Sequence, residues 1–173
     1  MLKYSKYLML LMFTTLAAFS NAQTSLKENS LNDFLIKDGY VPVKMQKFIT
    51  GHLYVTGNLN GISGTFLIDT GAGATIIEEK REEKFKMKTE ISDQKATGAG
   101  SSGLSVGISN NNKFVLDKYT FGSDTLRLMN LDHVNKALKS IGIEEIDGVI
   151  GADILTSGKA IIDYTNLVIY LKQ

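Results

Sequence analysis

The run Thr65-Phe66-Leu67-Ile68 favours a strand and leads straight into Asp69-Thr70-Gly71-Ala72. A lone ionised carboxylate in apolar surroundings is costly unless it is paired, hydrogen-bonded or protonated. Asp69 therefore either caps a turn or is a positioned group whose setting tunes its proton affinity. In the second case a strand ending at Ile68 would deliver it to an interior place. Gly71 would let the backbone turn without a Cβ clash. The N–H groups of such a turn would hydrogen-bond the carboxylate and keep it ionised at low pH. Thr70 could hold the loop through its hydroxyl.

One carboxylate is too few to hydrolyse an amide. Two in contact suffice, one ionised to activate water and one protonated to polarise the carbonyl, because a close pair shares a proton. The sequence contains one Asp-Thr-Gly; Asp124-Thr125-Leu126 and Asp147-Gly148 do not repeat it. The economical source of a second acid is a second copy of the chain. Among other carboxylates, Asp153 reads as a helix N-cap, and Asp147 and Asp163 as residues flanking turns or strands.

Other chemistries find little support. There is no cysteine, which excludes disulfides, thiol nucleophiles and thiolate metal sites. His52 and His133 lie far apart without a third ligand, so no metal site is expected. The glycines between 98 and 103 precede no Gly-Lys-Ser/Thr and do not form a phosphate loop. No cofactor is expected. Basic residues are scattered over a chain of net charge +1, which speaks against a nucleic-acid partner.

The elements that would position Asp69 read as short strands and tight turns, in keeping with 16 glycines and a single proline. Leu53, Val55 and Leu59 alternate, and Asn60-Gly61 then separates them from the strand ending at Ile68. That dipeptide marks a hairpin, since both residues tolerate positive φ. Residues 78–88, Glu-Glu-Lys-Arg-Glu-Glu-Lys-Phe-Lys-Met-Lys, read as a solvated helix or turn. The Gly/Ser-rich segment around Thr97, Gly98, Ala99, Gly100 and Gly103 lies between strand-like residues and reads as a mobile hairpin. Leu131, Val134, Leu138 and Ile141 share a helical face, with Asn130 or Asp132 as start and Gly142 as stop.

At the N-terminus, Lys3 and Lys6 precede about a dozen mostly apolar residues and the small residues Ser20 and Ala22. That order is expected of a secretory signal peptide over 1–22. The apolar run is shorter than the roughly 20 residues a spanning helix needs, so no stable membrane anchor is expected after cleavage. Loss of Lys3 and Lys6 takes the net charge from +1 to −1. The expectation is an exported protein, periplasmic or secreted, with a leader or short pro-segment at 23–40 and one domain at 41–173.

Two stretches together carry a resemblance. Leu67-Ile68-Asp69-Thr70-Gly71-Ala72 and, some 80 residues on, Val149-Ile150-Gly151 with Ala-Asp-Ile-Leu after it resemble the paired signatures of the retropepsin-like aspartic proteases. The closing stretch, 160–171, resembles the terminal strand pair of that family. The resemblance covers about 41–173 and implies an all-β, retropepsin-like acid protease fold with one or two short helices. It implies that Asp69 is the catalytic aspartate, that Thr70 holds the partner's loop across the axis of a homodimer, and that Thr97–Gly103 form a flap over a peptide or protein substrate. The spacing between the two motifs exceeds that of the compact viral enzymes, and the flap has no aromatic of its own. A peptide-binding module that keeps the fold without turnover is the alternative.

Overall fold

Alternation and turn chemistry build the structure, a computed structural model in which residues 31–98 and 101–173 are described, with side chains of 91–104 left aside. The chain divides into two compact units, Met1–Gly39 and Tyr40–Gln173. In the first, residues 31–37 form helix α1. The expected signal peptide and residues 23–30 lie outside the described residues. Among those described, no helix is long and apolar enough to cross a membrane.

In the second unit, β3 (Leu53–Leu59) and β4 (Ile62–Ile68) pair as the expected hairpin, Leu59 opposite Ile62. Asn60 and Gly61 both take positive φ, 53° and 85°. Asn60 also ties distant chain together: its Nδ2 donates to the Phe85 carbonyl and to Asn112 Oδ1, and its Oδ1 accepts from the Lys113 N–H.

The large sheet runs β6-β7-β10-β5-β11-β4-β3-β8-β9, where β5 is Ile76–Glu78, β6 Thr89–Gly98, β7 Ser101–Ser109, β8 Phe114–Leu116, β9 Tyr119–Thr120, β10 Leu126–Met129 and β11 Gly148–Ile150. β2 (Gln46–Lys47) adds to β3. A separate sheet has the order β1-β13-β12, with β1 Tyr40–Lys44, β12 Ile161–Asp163 and β13 Val168–Lys172. The remaining helices are α2 (Asp132–Ser140) and α3 (Ala152–Ser157). This is a mostly-β architecture with short helices, as the sequence implies.

β11 lies between β4, to which it is parallel, and β5, to which it is antiparallel. The chain leaves β4 at Asp69, passes the end of β11 and returns as β5. All three strands are covered on both faces. Phe66, Ile77 and Ile150 enter one core, while Leu67, Ile76 and Val149 pack with Leu131, Leu138 and Ile146 in a second core. Two-sided burial explains why the strand before Asp69 is an unbroken apolar run rather than an alternating one.

Two local expectations are corrected. The charged segment 78–88 is not simply solvated: Glu78, Phe85 and Met87 are buried, and the Phe85 ring lies 6.1 Å from that of Phe66. Only a single 3-10 turn, Glu79–Arg81, is helical there. Its aromatic and methionine anchor the segment, while Glu79, Lys80, Glu83, Lys84, Lys86 and Lys88 are exposed. In α2, Ile141 is exposed because the helix stops at Ser140, and Gly142, at φ 78°, closes it. Asn135 takes the inward place instead. Its side chain accepts from the Ile146 N–H and donates to the Ile146 carbonyl, as a neighbouring strand would. Asn130 Oδ1 accepts the Asp132 N–H at the helix start, and buried Glu78 accepts that of Leu131.

Candidate active site

The end of β4 and the end of β11 lie side by side, since Ile68 is opposite Ile150 in a parallel pair. Both chains turn away there, and the two turns lock together. The Asp69 N–H donates to the Ile150 carbonyl at 3.0 Å, and the Ala152 N–H donates to the Ala72 carbonyl at 2.8 Å. Within the first turn the Ala72 N–H donates to the Asp69 carbonyl.

Thr75 and Asp153 complete the lock. Thr75 is fully buried; its hydroxyl donates to Asp153 Oδ1 at 2.7 Å and accepts the Gly151 N–H at 3.0 Å. The Thr75 N–H also donates to Asp153 Oδ1, which accepts the Ile154 N–H as well. Asp153 is thus not the helix N-cap expected from sequence. Gly151 occupies that place without a side chain to offer, and Asp153, one residue inside α3, is turned to the opposite loop. Sequence reasoning missed Thr75. Its partner is 78 residues away, and only the sheet order makes the two adjacent.

Gly151 is required by space. A Cβ there would stand 2.4 Å from the carbonyl carbon and oxygen of Ala74. At Gly71 a side chain would crowd the Asp69 carboxylate. Its φ is not in the left-handed region, but a Cβ would sit 3.2 Å from Asp69 Oδ1, to which its N–H donates at 2.8 Å. The sharp-turn argument for Gly71 gives way to one of room for an acid oxygen.

Asp69 itself is exposed in the single chain, as are Thr70 and Gly71, while Ala72 is half-buried. This corrects the expectation of an interior carboxylate. The apolar run before it is buried by the sheet, yet the strand ends at the surface of one copy. Val149, Ile150 and Gly151 are buried beneath the loop. Beside it, Phe48 stacks on Tyr54 at 4.1 Å and joins Ala72 and Leu67 in the second core. Thr97 and Gly98 lie at the end of β6, Gly98 opposite Ser101 of β7, so the expected flap is an antiparallel hairpin. Gly103 lies in β7; Ala99 and Gly100 fall outside the described residues. No cluster of metal-binding side chains occurs among the described residues.

A second aspartate is built quite differently. Asp147 is buried, and its Oδ1 meets Lys84 Nζ at 2.7 Å and Arg81 Nε at 3.1 Å. Its Oδ2 accepts the Thr65 N–H, and its own N–H donates to the Thr65 carbonyl. The Glu78 N–H donates to the Asp147 carbonyl. It stitches β4, β11 and β5 at the far end from Asp69.

The model of the aspartyl protease family matches residues 55–154, which span the β3–β4 hairpin, both turns and the start of α3. The chain belongs to that family. Its fold is retropepsin-like. A retropepsin-like aspartic protease from Rickettsia conorii aligns with TM-score 0.50 and 19% identity over 77% of this chain and 91% of its own. The EIAV protease complexed with the inhibitor HBY-793 aligns with TM-score 0.51 and 12% identity over 68% and 98%. At such identities the likeness speaks for the fold. No curated protein matches the sequence. In this family member the Asp-Thr-Gly and the Val-Ile-Gly are the two turns that Thr75 and Asp153 bind together.

Proposed function

We propose that the chain is an aspartic endopeptidase that works as a homodimer, with one Asp69 from each copy holding the attacking water. The observation that carries this reading is the state of Asp69. It is fixed through Oδ1 by the Gly71 N–H yet open to solvent. The other carboxylate of the two interlocked turns, Asp153, is bound to Thr75 and Ile154. A fixed acid at the surface of one copy is half of a two-carboxylate site.

In such a pair one aspartate is ionised and one protonated. The ionised one takes a proton from water as its oxygen attacks the carbonyl carbon of the scissile amide. The protonated one donates to the carbonyl oxygen. Return of a proton to the amide nitrogen lets the C–N bond break. Thr70 would brace the partner's loop, and the β6–β7 hairpin would line an extended peptide by strand-like hydrogen bonds. The start of the sequence supports export to the periplasm or beyond.

The test mixes wild-type and Asp69→Asn chains at fixed total protein. With random pairing in equal amounts, about a quarter of the dimers hold two carboxylates. Peptide cleavage should therefore fall with the square of the wild-type fraction. A linear fall would mean that each chain works alone. Peptide binding without cleavage at any pH would make the chain a binding module on a protease fold.

A further inference from the structure

Asp153 is held through one oxygen only. Oδ1 accepts from the Thr75 N–H, the Thr75 hydroxyl and the Ile154 N–H, while Oδ2 has no partner among the described residues. Tyr119 has an idle polar atom too. The residue is 3% exposed, yet its hydroxyl bonds to nothing among the described residues. A phenol this deeply buried ordinarily finds a partner. Its hydroxyl stands at the end of α3, 3.1 Å from where a Cβ on Gly158 would be.

Both residues line one groove of about 420 Å³, bounded by α3, by β9 with the loop after it, and by the end of β13. Half-buried Phe121 supplies an apolar wall. Ser157, one turn after Asp153, already donates its hydroxyl to the Ile154 carbonyl. Gln173 has both ends of its side-chain amide on the Thr120 N–H and carbonyl. Lys172 holds its amine over the Tyr40 ring, 5.3 Å from the centroid. Of these side chains, Asp153 and Tyr119 are left to meet a ligand. The surface at Thr70 takes Ala152, Leu155 and Thr156, so α3 stands between it and this groove.

Charge and spacing say what fits. A carboxylate oxygen takes a cationic donor, and a phenol hydroxyl donates to an acceptor. Asp153 stands at the start of α3 and the Tyr119 hydroxyl beside its C-cap, Gly158, so roughly 7 Å of helix lie between them. We infer that the groove binds a small primary amine. Its ammonium meets Asp153 Oδ2, an apolar body lies against Phe121, and an oxygen at its far end accepts from Tyr119. The volume falls in the range of small-molecule sites, about 300–1,000 Å³. Because the same carboxylate holds Thr75, the amide of Thr75 senses the ligand without touching it.

The test titrates the isotopically labelled full chain with tyramine, an amine of this form, and follows the backbone amide resonances without any peptide substrate. Shifts should centre on Gly122, Ser123 and Ser157, extend to Thr75, and saturate with a dissociation constant of about 1 mM or tighter. The amino end of a short peptide carries the same ammonium. Binding of Phe-Gly-Gly in place of tyramine would make a peptide terminus the ligand, and N-acetylation should then abolish it. Tyr119→Phe removes an oxygen that bonds nothing in the chain. It should fold as wild type and bind tyramine about 3- to 10-fold more weakly. Asp153→Asn keeps an oxygen for Thr75 but loses the charge, and binding should weaken at least about 10-fold. The anion 3-(4-hydroxyphenyl)propionate should not bind. No saturable shift with either amine overturns the site. Binding left unchanged by Tyr119→Phe and Asp153→Asn overturns it as well, and so does equal binding of the anion.

Discussion

Asp69 and Asp147 stand at opposite ends of the same parallel pair, β4 and β11, and almost everything about them differs. Asp69 follows β4, is exposed, and accepts one hydrogen bond from its own turn. Asp147 precedes β11, is buried, and meets Lys84, Arg81 and the Thr65 N–H. A buried carboxylate with both oxygens engaged holds strands together and is closed to a substrate. One held at a single oxygen keeps the other for chemistry. The environment, and not the residue type, assigns the role.

The comparison breaks most sharply if the two roles can be exchanged. Asp69→Asn should reduce peptide cleavage by at least about 10³-fold, the scale of a lost general base. Its unfolding midpoint should stay close to wild type, since one exposed hydrogen bond is at stake. A large loss of stability with little loss of activity would reverse the assignment.

Asp147→Ala should do the opposite. It leaves Lys84 and Arg81 without their shared acid and the Thr65 N–H without its acceptor. A fully buried pair broken this way costs about 3–5 kcal/mol, and partial exposure of both cations lowers that to about 2–4 kcal/mol. Urea unfolding measures the loss. Whatever stays folded should cleave with an unchanged kcat.

Thr75→Val sharpens the contrast between anchoring and the proposed chemistry beside the Asp-Thr-Gly turn itself. The shape is nearly kept, but the Gly151 N–H loses its acceptor and Asp153 loses a donor. The expected cost is about 1–3 kcal/mol, typical of a buried group left unpaired. Activity should fall further than stability alone explains, because the loop carrying Asp69 loosens. Equal activity at full folding would show that the lock is not needed for positioning.

The smallest effect concerns Asp163, the last residue of β12 before the turn to β13. The Asn166 backbone N–H, then its side chain, hold this carboxyl below the usual range. A depressed folded-state value contributes stability above the unfolded-state value, about 3.9, and that contribution is lost as pH falls through the folded one. Wild type should therefore exceed Asp163→Asn slightly in thermal stability at pH 6, and the gap should close below pH 4. A gap that widens in acid would contradict the sign. The residue is fully exposed, so the gap is small and salt-sensitive.

Much of this was legible in the chain. Asn60-Gly61 marked a hairpin turn because both residues tolerate the positive φ such a turn needs, and the alternation of Leu53, Val55 and Leu59 set its buried face. The Asp-Thr-Gly after an apolar run, with Val-Ile-Gly downstream, located the two turns, because strand preference and glycine are local properties. The same local logic misread residues 78–88, where eight charged side chains among the first nine outweighed Phe85 and Met87 in any average over composition. Whether those two are buried depends on what Phe66 presents from another strand.

What the tertiary structure alone decided are the relations between distant segments. The insertion of β11 between β4 and β5 sets three apolar strands side by side between two cores and brings Thr75 against Asp153 and Gly151. It also makes Asp147 an anchor and Asn135 a surrogate strand for Ile146. None of these follows from spacing, since each depends on which strand lies beside which. The sequence by itself determined where the chain turns and which residue could be an acid. The fold determined which acid stays open to water, because exposure and hydrogen-bond partners belong to the packed whole and not to any stretch of it.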